Sequence, residues 1–163
     1  LTPACELMPQ LINVNAWKAK TAAQKKKIQA KATAYVQSRA RKVLMEALKV
    51  SPQWSGNYAV NWALETSRTG AVSYTGKYKV DPWQALRGHE KQAGSREAIA
   101  YNLQYYNEET IAAIHWNSNI KLVNRAPVHE LIESGQVRLR PENLIPDGLG
   151  VIAHLKANFK FIK

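Results

Sequence analysis

From Asn15 to Val50, apolar residues return every three or four positions. Ile28, Ala32, Tyr35, Val36, Val43, Ala47 and Val50 make one stripe, widened by Leu44 and Leu48, and this spacing predicts an amphipathic helix. Asn15 is a suitable N-cap, and no Gly or Pro interrupts before Pro52. Such a helix would run about 50 Å at 1.5 Å per residue, which is long for a small domain. The expectation is therefore a break near Thr21 or an N-terminal half that overhangs the body. Residues 1–14, with Pro3, Pro9 and weak periodicity, read as a docking arm ahead of a single domain over 15–163.

"SPQWSG", Ser51 to Gly56, is a turn signal that stops the helix before its proline. "NYAVNWALET" then alternates, with Tyr58, Val60, Trp62 and Leu64 on one face, and predicts a strand. "AVSYTGKYKV" predicts a second strand or a loop-borne hairpin kinked at Thr75-Gly76, and "DPWQALRGHEKQAG" predicts loop. "SREAIAYNLQYYN" predicts a helix capped by Ser95. "TIAAIHWN" and "IKLV", separated by a turn-forming Asn117-Ser118-Asn119, predict a hairpin. "VHELIES" after Pro127 predicts a short helix closed by Gly135, and "LGVIAHLKANFKFI" a closing amphipathic helix. The order α-β-β-α-β-β-α predicts an α+β domain, its long N-terminal and C-terminal helices packed on a small, mainly antiparallel sheet.

Composition changes this picture little, and charge changes it more. At 163 residues, with 45% hydrophobic and 21% charged positions, the chain can bury a core as an ordinary folded domain does. No run approaches the roughly 18 apolar residues that would span a bilayer, so no membrane partner is expected. The opening residues lack the basic flank and apolar block of a secretory leader. Of the formal charge of +11, ten cations against Glu6 and Glu46 put +8 into residues 1–50. A field of that sign attracts nucleic acid or an acidic protein face.

Catalytic chemistry finds little to work with. The single Cys5 excludes an intrachain disulfide framework and an all-cysteine metal site, and it has no adjacent base. His89, His115, His129 and His154 lack the spacing of a zinc site, since Glu133 stands where a second helical His would follow His129. "GHE" with "HWN" only faintly suggests a His-Asn-His nuclease. The pairs Glu108/Glu109 and Glu130/Glu133 read as solvated helix faces rather than an acid–base pair. No nucleophile elbow or phosphate-binding glycine loop is present, and "DGLG" reads as a helix entry. No metal, cofactor or enzymatic activity is expected.

Binding is better represented. Lys25, Lys26, Lys27, Lys31 and Arg39, with Arg41 and Lys42, would give salt-dependent, sequence-blind affinity for phosphates. The three consecutive lysines fan around about 200° of a helix rather than forming one stripe. Trp62 and Trp116 read as core. Trp54 and Trp83, in turn-rich segments, read as interface anchors.

The order of these signals resembles the neck and tail-completion proteins of tailed bacteriophages, which join the head connector to the tail. In that family a long N-terminal helix runs through a Thr-Gly or Ser-Gly turn, here Ser55-Gly56 in "SPQWSGNYAVNW". A later Asn-x-x-Pro-Tyr-Ala turn, followed by an acid and a Gly, is matched in "VNRAPVHELIESG" by Asn124, Pro127, Glu130 or Glu133, and Gly135. Val128-His129 stands where the family has Tyr-Ala, and Pro146 with Gly148 echoes its entry to the last helix. The resemblance spans roughly residues 25–160. It implies a structural virion protein, synthesised in the host cytoplasm, that forms a homo-oligomeric ring at the head–tail junction through sheet edges and helix faces. Its partners would be connector and tail proteins, with genomic DNA in the channel a further candidate. The basic helix and Glu130 or Glu133 would serve as interface, and the Asn124–Gly135 elbow would hold a helix against the sheet. A stand-alone basic nucleic-acid-binding module is the alternative from another class.

Overall fold

The computed structural model describes residues 13–51, 56–77, 94–134 and 150–160. It is an α+β fold. Helix α1 is Val14–Val50, 37 residues and about 55 Å long. Its cap lies two residues ahead of the expected one: the Asn13 side chain accepts a hydrogen bond from the Ala16 amide at 3.1 Å. No break occurs at Thr21, whose hydroxyl bonds back to Trp17 O within the helix. Only the second half is buried, through Ala40, Val43, Leu44, Ala47, Leu48 and Val50. Fully burying a leucine such as Leu44 or Leu48 contributes about 1.5–3 kcal/mol. Ser51 ends the helix, and its hydroxyl accepts from Trp62 Nε1 at 2.7 Å.

After Gly56, held at φ 83°, comes a helical turn α2, Asn57–Val60, and then strand β1, Trp62–Thr66. Helix α3, Gly94–Tyr101, continues through a π-helical stretch, Asn102–Asn107, into α4, Glu108–Ala113. Strand β2 is Ile120–Asn124, followed by α5, His129–Glu133, and α6, Val151–Asn158. β1 and β2 pair antiparallel, Trp62 opposite Asn124 and Thr66 opposite Ile120. Helix α6 packs against α1 and α5. Trp62 sits at the centre of the core, fully buried, with Tyr58 edge-on at 5.6 Å.

Of the expected strands, "NYAVNWALET" is a strand only over Trp62–Thr66, and "TIAAIHWN" is not one. Tyr58 to Val60 belong to α2, because Tyr58, Ala59, Val60 and Asn61 are all buried and alternation there marks no exposed face. Thr110 to Ala113 continue a helix that arrives from Gly94, overriding the β-branched composition of "TIAAI". Residues 71–76 have no regular structure. They are held by side chains instead: Asn61 accepts from the Thr75 amide at 2.8 Å and donates to Thr75 O at 3.1 Å, and Glu65 accepts from the Val72 amide. Trp116 is not core; it is about half exposed in the turn after α4.

The edge of β1 that faces away from β2 is closed by two fully buried asparagines. Asn107 Oδ1 accepts from the Leu64 amide at 2.7 Å, and its Nδ2 donates to Trp62 O at 2.8 Å. Asn102 Nδ2 donates to Val60 O and Trp62 O, and Asn102 Oδ1 accepts from Asn107 at 2.7 Å. The π turn matters here. Its wider winding brings residues five apart onto one face, so two amides stand in for a third strand.

Candidate interaction surface

The elbow that begins at Asn124 is held by hydrogen bonds to its own backbone and to neighbouring elements. Asn124 Oδ1 accepts from the Ala126 amide at 2.9 Å, an Asx turn, while Asn124 Nδ2 donates to Tyr58 O. Ala126 is fully buried, Pro127 is exposed at the turn, and His129 bonds to Ala126 O through both its amide and Nδ1. Glu130 is exposed. Glu133 points inward: it accepts from the Tyr58 hydroxyl and from the Ile152 amide at 2.8 Å, so its carboxylate satisfies the start of α6 from another element. Burial first, and then this bond to Glu133, push the Tyr58 hydroxyl far above its ordinary pKa. Gly150, the N-cap of α6, lies so close that a Cβ there would come within 2.6 Å of Glu133 Cα and O. The acid and the glycine at the helix entry are therefore fitted to one another. Ser55, Trp54, Trp83 and Gly135 fall outside the described residues, as do His89, Pro146 and Gly148.

The remaining histidines have local partners. His115 Nε2 lies 2.9 Å from Arg68 Nη1, and His154 lies 3.4 Å from Glu46. Among the described residues no group of three His, Cys, Asp or Glu side chains is placed to hold a metal ion, and no helix is long and apolar enough to cross a membrane. Glu108 forms a two-pronged ion pair with Arg41 at 2.9 and 3.0 Å, which lowers the carboxylate pKa and raises that of the guanidinium. Glu65 lies against Arg125. Burial alone would raise its pKa, but hydrogen bonds from Arg125 and the Val72 amide, with the charges of Arg125 and Lys121, hold it below the ordinary carboxylate range.

The unexplained surface is the first half of α1. Every residue from 13 to 28 is exposed, including Val14, Trp17 and Ile28, the last at 67%. Val14, Ile28 and Tyr35 stand at multiples of seven residues with Trp17 beside Val14, so large apolar side chains recur along one side of this exposed half, with the polar Thr21 between them. Lys25, Lys26, Lys27 and Lys31 stand around them, all exposed, and no acid occurs between Val14 and Met45. Arg39 lies over the Tyr35 ring at 5.6 Å, where the helix meets the body. Contacts with the body begin near Thr33, whose hydroxyl accepts from the Trp116 amide, and Gln37, which donates to Ala112 O and Ile114 O. The stripe read from sequence, Ile28 to Val50, is buried from Val43 on, with Val36 packed against the core and Ile28 and Tyr35 exposed. No known family model matches the chain, and no curated protein or solved structure is significantly similar to it.

Proposed function

We propose that the chain is a structural, non-enzymatic component of a tailed-phage virion, a ring subunit at the head–tail junction that links connector proteins to tail proteins. The observation that carries this reading is the uncovered half of α1. Val14, Trp17, Ile28 and Tyr35 are large apolar side chains left in water along one helix, and a neighbouring subunit would cover them. Ring closure needs a heterologous contact, with different surfaces meeting; the projecting half-helix and the compact body are two such surfaces. The elbow at Asn124, which the resemblance rests on, fixes that body.

The same helix favours a second reading. Its acid-free run of cations would bind polyanions as a stand-alone nucleic-acid module. Sedimentation of the purified chain at about 0.15 M salt separates the two. A closed oligomer, weakened when Lys25, Lys26 and Lys27 are replaced by Glu, supports the ring. A monomer whose nucleic-acid affinity falls steeply with added salt supports the module instead.

A further inference from the structure

Helix α5 carries an apolar patch of its own in water. Val128, its N-cap, is 46% exposed, and Leu131, three residues on, is 52% exposed. Pro127 and Glu130 are exposed beside them, while Ile132 is turned into the core. The patch is held in place from beneath: Ala126 is fully buried, His129 bonds to Ala126 O, and Glu133 bonds to the start of α6. Among the described residues no cation pairs with the Glu130 carboxylate. No Lys or Arg occurs from Ala126 to Ser134.

We infer that this patch receives the outer half of α1 from the next copy of the chain. The contact rests on the ring proposed above and names the body surface that closes it. The two surfaces match in chemistry and in charge. Val14, Trp17 and Ile28 are the exposed apolar side chains of one, Val128 and Leu131 those of the other. The helix brings lysines with no acid from Val14 to Met45, and the patch brings Glu130 with no base beside it. The contact does not form within one chain, because every residue from 13 to 28 is exposed. Other receivers fit worse. The apolar groove of about 790 Å³ between β2, α1 and α6 is lined by Lys156 and, among the described residues, by no acid. The lysines of α1 would meet like charge there, as they would on a second α1, and such juxtaposition is costly. Helix and patch are different surfaces, so the contact repeats head to tail.

The test blocks one surface at a time in the intact chain. Leu131→Lys disables the patch, and the pair Trp17→Gln and Ile28→Gln disables the helix; all three side chains are exposed. Each variant alone should need at least about tenfold more protein to assemble than wild type. Mixed, they retain one intact contact and should form one-to-one pairs by sedimentation, which also shows that both are folded. Glu130→Lys should weaken assembly too, and adding Lys25→Glu, Lys26→Glu and Lys27→Glu to it should restore part of the loss. Patch variants that assemble like wild type, or a mixture that stays monomeric where wild type forms rings, would overturn this contact and leave the ring standing. A monomeric wild type would remove the ring and the contact together.

Discussion

Polar side chains at buried positions do the work that longer strands would otherwise do. Asn107→Ala would take the partner from the Leu64 amide and from Asn102 Oδ1, leaving Trp62 O with Asn102 alone, so it should cost about 2–3 kcal/mol by denaturant unfolding. Glu65 makes a pH-dependent contribution. Its folded pKa lies below its unfolded value near 4.3, so its stabilisation is present above that value and fades as pH falls through the folded one. Glu65→Gln should therefore be less stable than wild type near neutrality. The gap between the two should close as pH drops below about 5, measured by urea midpoints along a pH series. None of this was legible beforehand. In sequence Asn61 falls in an expected strand and Asn102 and Asn107 in an expected helix, and neither element shows their role, which depends on partners 14 to 45 residues away.

Elements differ in how well their own residues announce them. Helix α1 could be read almost to its ends, since 37 residues of one period outvote any local ambiguity. The short helix at His129 and the closing helix could be read too, each set off by Pro or Gly. The β-rich Thr110–Ala113 misled, because a four-residue apolar run has no period of its own and followed the helix already arriving from α3. The match between α5 and α6 is a property of neither helix alone. Gly150 has extended backbone dihedrals that any residue adopts, so space is its constraint. Gly150→Ala would drive a methyl into the Glu133 backbone and should destabilise by about 1–3 kcal/mol. Gly76→Ala, which meets nothing within 4 Å, serves as the control and should be close to neutral in the same thermal or denaturant assay.

At the scale of the molecule, the architecture is a small body carrying a lever. The body accounts for the α+β class read from sequence, and the candidate interface residues Lys25, Lys26, Lys27 and Lys31 lie on the lever. Glu133, with Glu130 an interface candidate in sequence, is engaged within the chain by Tyr58 and the Ile152 amide, while Glu130 is exposed. Helix α1 also spans two thermodynamic regimes. Helices of fewer than about 12–15 residues are marginal in water without packing, and the stretch from Val14 to Ile28 has no packing from the body to support it. Its amides should exchange with deuterium nearly as fast as those of a free peptide, while amides from Ala40 to Val50 should open only with global unfolding, as read by exchange mass spectrometry. A neighbour that clasps the outer turns would then do more than bury area. It would complete the winding of a helix the monomer leaves half finished, and the slowing of exchange would record when that neighbour arrives.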